Sequence, residues 1–142
     1  MNVKKAIEEG FLEKIEIDDR LANKEFAESD YDFEKAKKAF EEEDYKWSIV
    51  KSYFSMFHSA RAILFKLGLK ERRHFAINLV LEDLNIKGNL ESIYVNDFKA
   101  AISAREDDDY HYIYSKDSAL HILEIAEEFN EKMKKLKWQK RH

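Results

Sequence analysis

Residues 44–68, DYKWSIVKSYFSMFHSARAILFKLG, constrain this chain more than any other stretch, because they are apolar on too many sides for a helix that faces water. Two adjoining stripes run along them at helical spacing: Trp47, Val50, Phe54, Phe57 and Leu64 on one, and Ile49, Tyr53, Met56, Ala60, Ile63 and Leu67 on the other. A helix with that pattern has to be surrounded. Its remaining sector carries small side chains, Ser48, Ser52, Ser55, Ser59 and Ala62, which would let another helix, or a second copy of this one, approach closely. Asp44 is the expected cap of this helix and Gly68 its expected end.

The rest of the chain supplies amphipathic partners. Residues 3–17 read as a short helix through Val3, Ala6, Ile7, Phe11, Ile15 and Ile17, with Gly10 as its weak point. A second helix, Asp19 to about Glu43, begins on Asp18 and Asp19, which suit the positive end of a helix dipole, and presents Leu21, Phe26, Ala27, Phe33, Ala36 and Phe40. After a loop at 70–73, a shorter helix carries Phe75, Ile77, Leu79, Val80, Leu81 and Leu84, and residues 85–89 around Gly88 form the clearest turn. A fifth helix from about Leu90 to Arg105 is expected to break in EDDDYHYIYS, where four acids and three tyrosines replace the apolar period. Ser115 starts the last helix, which is expected to bury Ala119, Ile122, Leu123, Ile125, Ala126, Phe129 and Met133. With no proline and only three glycines, little interrupts these helices, and no repeat or linker divides them. The expectation is an all-α fold, one domain over residues 1–142 built as an antiparallel bundle of five to six helices.

Several functional classes fall away. The chain has no cysteine, so disulfides and thiolate metal sites are out, and it has neither a glycine-rich phosphate loop nor a Ser-His-Asp order. No cofactor and no metal are therefore expected. Glu71 with His74 has the acid-x-x-His spacing of di-iron bundles, and Asp117 with His121 matches it loosely, but the central helix offers no carboxylate between Tyr45 and Lys66. The amino terminus lacks the unbroken apolar segment of a signal peptide, and no stretch approaches the ~18 apolar residues of a membrane span. A soluble, cytoplasmic protein with no membrane partner is expected. A net charge of −4 argues against bulk attraction to nucleic acid while leaving room for a local basic patch. Lys132, Lys134, Lys135, Lys137, Lys140 and Arg141, with Trp138, read either as such a patch or as a solvated helix end favoured by the dipole.

Tyr53-Phe54-Ser55-Met56-Phe57-His58-Ser59-Ala60-Arg61-Ala62, followed by Gly68-Leu69 and His74, resembles the Y-Y-A-M-F-H-A-A-R-A signature of small prokaryotic HEPN-domain proteins. The resemblance spans roughly residues 25–130. It implies a helical bundle, usually a homodimer, often encoded beside a minimal nucleotidyltransferase antitoxin, and in several branches a toxin that cleaves RNA without a metal. The small-residue stripe on the central helix is expected to seat the second copy.

The family's chemical motif is an arginine, four to six residues, then a histidine, and Arg105 and His111 satisfy it. In this chemistry a histidine, which titrates near ~6.5, moves the 2′-hydroxyl proton while the arginine fork stabilises charge building on the phosphate. Positions six apart on an α-helix point roughly 120° away from each other, so the pair converges only if the helix ends or unwinds after Arg105. The branch most resembled places Asp-Tyr where Asp109 and Tyr110 stand and often lacks the histidine. A non-catalytic dimer module that binds the nucleotidyltransferase or a nucleotide therefore stays open as the alternative. Tyr112 lies seven positions after Arg105, where related toxins accept adenylyl groups. His58 and Arg61, three apart on the central helix, read either as a lining for the site around Arg105 or as a buried polar pair satisfied from the last connection.

Overall fold

The computed structural model describes residues 1–111 and 114–137, and of residues 107–111 only the backbone. In chain order these form α1 (Val3–Glu8), β1 (Leu12–Lys14), α2 (Asp19–Glu41), α3 (Tyr45–Lys66), β2 (Leu69–Glu71), α4 (Phe75–Ile86), α5 (Ser92–His111) and α6 (Lys116–Lys135). The all-α bundle expected from the sequence is the observed one, with a single short ribbon added. Three helix starts are set by side chains that accept from otherwise unpaired backbone N–H groups: Asp18 from Leu21 at 2.9 Å, Asp44 from Trp47 at 3.1 Å and Ser115 from Ser118 at 3.0 Å.

α3 is the axis of the bundle and touches α2, α4, α5, α6 and β2. Its deepest side is not the aromatic stripe. Ser48, Ser52, Ser55 and Ser59 are fully buried, as are Ile49, Met56, Ala60 and Ile63, whereas Trp47 remains 48% exposed and Val50 and Phe54 are half-buried. The reason is steric. Small side chains admit the closest neighbour, and α2 takes that place with its own small residues, Ala22, Ser29, Ala36 and Ala39.

The serine sector is thereby consumed inside the chain, which corrects the expectation that it seats a second copy. The Ser29 hydroxyl reaches the Ser55 carbonyl and the Ser59 hydroxyl, both at 2.7 Å, and Ser55 Oγ donates to the Ser29 carbonyl at 2.7 Å. From α6, Asn130 accepts from Ser59 at 2.7 Å and donates to Ser55 at 2.7 Å. Ser48 donates to the Ala36 carbonyl at 2.9 Å. Polar groups buried at this depth need partners, and Ser29, Ser48, Ser55, Ser59 and Asn130 supply them to one another or to the backbone, whereas Ser52 Oγ has none among the described residues; the pattern holds α2, α3 and α6 in one register.

Residues 3–17 do not make one helix. Gly10, at φ +80°, takes the left-handed conformation that ends α1, and the chain then extends as β1. β1 pairs antiparallel with β2, Leu12 opposite Glu71 and Lys14 opposite Leu69, so the expected loop at 70–73 begins as a strand. Gly68, at φ +74°, lets the end of α3 meet this ribbon, since a Cβ there would stand 2.9 Å from the Ile15 carbonyl oxygen.

α5 runs on through His111 without the break expected after Arg105. Neighbouring like charges on a helix cost only about 0.2–0.5 kcal/mol a pair, too little to unwind a helix anchored by buried Val95, Phe98 and Ala101. At Tyr114, ahead of the Ser115 cap, the chain is not helical.

Between α5 and α6, Asp97 is pushed above its ordinary value of 3.8 by burial and then by the charge of Glu128, against a smaller opposing effect of His121. Its Oδ2 has no partner among the described residues. A carboxyl raised in the folded state costs stability wherever it is ionised, and that cost fades as pH falls through the folded value towards the unfolded one. Asp97→Asn should therefore raise the melting temperature at pH 7, with the gain shrinking towards pH 3.8. A gain independent of pH, or none at neutral pH, would contradict this account.

Candidate active site

Arg105 leaves α5 one turn beyond buried Ala101 and lays its guanidinium across the aromatic side of α3. The guanidinium carbon stands 5.1 Å from the Tyr53 ring centre and 5.4 Å from that of Phe54. Those two rings meet edge to face at 5.2 Å. Contacts of this kind fix a cation through ring faces and leave its N–H donors available to an anion. Tyr53 is itself buried, and burial pushes its phenol above the ordinary range, with the charge of Arg105 the largest influence in the other direction.

The rings continue along α3. Tyr53 and Phe57 lie 6.2 Å apart, Arg61 sits over Phe57 at 4.5 Å, and His74, at the entrance to α4, lies 5.1 Å from Phe57. One aromatic ridge thus connects Arg105 to Arg61 and His74. The i, i+4 spacing of Tyr53, Phe57 and Arg61 puts them on a single helical face, and the β1–β2 ribbon brings His74 up to it.

His58 and Arg61 are partnered from α2 and β2, not from the last connection. His58 Nδ1 stands 2.6 Å from Glu25 Oε2, and its Nε2 is 3.5 Å from Asp32 Oδ2. Arg61 Nε donates to Glu71 Oε2 at 3.0 Å, a second Arg61 nitrogen reaches Glu25 at 3.5 Å, and Lys51 donates to Asp32 at 3.2 Å. With both ring nitrogens facing carboxylates, His58 fastens α2 to α3 and is not placed as a free base. Burial works to raise Glu25, but the hydrogen bond from His58 and the charges of Arg61 and His58 outweigh it and hold its carboxyl below the ordinary 4.5. Glu25 and Asp32 escaped the sequence reading, although their spacing of seven places two acids on one face of a helix whose other inward residues are small. Tyr53, the platform under Arg105, was legible only as core.

Asp109, Tyr110 and His111 stand on the last turns of α5, with their side chains outside the described residues, and Tyr112 lies outside them altogether. So do Trp138, Lys140 and Arg141. On a continuous helix His111 is displaced from Arg105 by about 9 Å along the axis and about 120° around it. The acid-x-x-His spacing has a different use here: Glu71 binds Arg61 and His74 packs on Phe57. Among the described residues no group of three or more metal-ligating side chains occurs, and no helix is long and apolar enough to cross a membrane.

A helical bundle with a buried polar seam between its two longest helices, and a cation held on the aromatic side of the central one, defines a small all-α domain with an anion-receptive edge. The family model described as the HEPN domain matches residues 23–136, from α2 through the end of α6. The chain belongs to the HEPN-domain family. That span contains Arg105, its platform and the His58–Arg61 pair. A search of curated proteins returned no match.

Proposed function

We propose that this protein is a metal-independent HEPN ribonuclease acting as a homodimer, in which Arg105 holds the scissile phosphate and His111 takes the 2′-hydroxyl proton. The observation that carries this reading is the seating of Arg105 on Tyr53 and Phe54, which orients a guanidinium in advance of any substrate. The 2′-oxygen attacks phosphorus, the bond to the 5′-oxygen breaks, and the departing oxygen takes up a proton. The products carry a 2′,3′-cyclic phosphate and a 5′-hydroxyl.

The unbroken α5 bears on how the pair is completed. Arg105 and His111 diverge within one chain, so in this reading Arg105 of one protomer acts with His111 of its partner. The apolar stripe of exposed Trp47 and half-buried Val50 and Phe54, ending beside Arg105, supports a seam at this edge and replaces the buried serine sector in that role. An RNA substrate implies a cytoplasmic location. Control by a minimal nucleotidyltransferase antitoxin belongs to the same proposal: an adenylyl group on Tyr112 would add phosphate charge beside Asp107, Asp108 and Asp109 and repel the RNA backbone.

The continuity of α5 also favours a second reading, a non-catalytic dimer that binds the nucleotidyltransferase or a nucleotide through Arg105. The purified dimer, freed of any partner, should cut single-stranded RNA in the presence of EDTA and leave cyclic phosphate ends. Intact RNA after incubation with the dimer would leave the second reading standing, and a monomeric mass in light scattering at micromolar concentration would overturn both.

A further inference from the structure

We infer that the corner between β2 and α4, residues 73–75, is a binding strip for single-stranded RNA that receives the strand as it leaves the Arg105 site. The inference rests on the ribonuclease reading for its direction and on separate residues for its chemistry. Arg73, His74 and Phe75 are consecutive and exposed, and Phe75 keeps 47% of its surface in water, more than an aromatic residue at a helix start needs for folding. Phe75 is also held still. It meets Phe11 edge to face at 5.1 Å, while the Arg72 N–H donates to the Phe11 carbonyl at 2.8 Å and the Arg72 side chain pairs with Glu13. A rigid ring beside solvent is a stacking platform for any base.

Charge selects the occupant. The chain is acidic overall, at −4, yet Lys70, Arg72, Arg73 and, behind them, Arg61 gather at this corner; Glu13 pairs with Arg72, and Glu71 and Glu25 with Arg61, which leaves Lys70 and Arg73 with no ion pair among the described residues. Two copies of such a corner repel each other, whereas a polyanion with exposed bases is complementary to both the cations and the ring. The corner is also continuous with the proposed reaction site. From Arg105 the path runs over Tyr53 at 5.1 Å, to Phe57 at 6.2 Å and to His74 at 5.1 Å, a ridge of ring contacts with no intervening helix. Tyr53 and Phe57 are themselves buried beneath this path, so a strand gripped at Arg105 passes over the partly exposed Arg61 and the exposed His74 that lie against these rings and stacks on Phe75.

The test uses the intact His111→Ala dimer, which is not expected to cut, and a fluorescein-labelled single-stranded RNA of mixed sequence followed by anisotropy. Adding Phe75→Ala should weaken binding about tenfold while leaving the affinity for a duplex RNA of equal length unchanged. Arg73→Ala should lower the slope of log affinity against log salt by about one. Phe75→Trp should retain binding. In the cutting-competent protein the same two alanine variants should raise KM with kcat preserved. RNA binding that depends on Phe75 in a protein that never cuts would retire the ribonuclease reading and keep the strip. Cleavage with KM unmoved by either variant would overturn the strip and keep the ribonuclease. No RNA binding at all, or a Phe75→Ala effect on the mass of the dimer and not on RNA, would overturn the strip.

Discussion

Arg105→Ala and His111→Ala should each abolish RNA cleavage, and mixing the two inactive proteins should restore part of it. Removing a prearranged charge from the developing phosphate dianion costs on the order of 10²–10³ in rate, and removing the proton acceptor costs about 10²–10⁴. Neither change should unfold the domain, because both residues lie on the outer part of α5 and a cation–π contact at such an edge contributes only about 0.5–1 kcal/mol. Circular dichroism and mass should match the parent. The recovery on mixing follows from the unbroken helix. If each site takes Arg105 from one protomer and His111 from the other, a mixed dimer keeps one whole site, and random exchange returns about a quarter of parental activity. Sites completed within one chain give no recovery, and activity surviving His111→Ala removes that histidine from the mechanism.

Phe57→Ala should be the most destabilising single change on the aromatic ridge, costing about 3–5 kcal/mol, a large part of the ~5–15 kcal/mol that holds a domain folded. Phe57 is only 5% exposed, and its ring meets Tyr53 at 6.2 Å, His58 at 5.7 Å and His74 at 5.1 Å with Arg61 above it at 4.5 Å. The cavity left behind cannot close easily, because α3 is held in register by the serine network on its other side. Phe57→Leu should lose less, since it keeps more of the buried volume. Chemical denaturation gives the figure, and a midpoint unmoved by Phe57→Ala would show that this ring does not carry the packing assigned to it.

Most of the helices were legible because their signals are local. Asp44 and Ser115 cap where they stand, Gly68 and Gly88 end or turn the chain through their own backbone freedom, and the apolar period of α3 and α6 repeats within a few residues. The β1–β2 ribbon was not legible. Strands of three residues contain too few positions to establish an alternation, and their hydrogen bonds come from a segment far along the chain. The end of α5 is hidden from the sequence for a related reason: loss of the apolar period does not end a helix, because a helix anchored at one end continues through charged residues at small cost.

Composition and spacing determined that this chain forms long helices, that residues 44–68 are central, and that Arg105 and His111 have the spacing of a known chemical pair. The tertiary structure alone decided which sides of those helices are used. α2 chose the serine sector over the aromatic stripe because small residues permit the closest approach, and that choice buried the sector once expected to join two copies. The same packing gave His58 and Arg61 carboxylates from α2 and β2 and set Arg105 over Tyr53. Periodicity and capping are properties of neighbours along the chain, whereas the partner of a charge or the neighbour of a ring is settled only when distant segments compete for the same space.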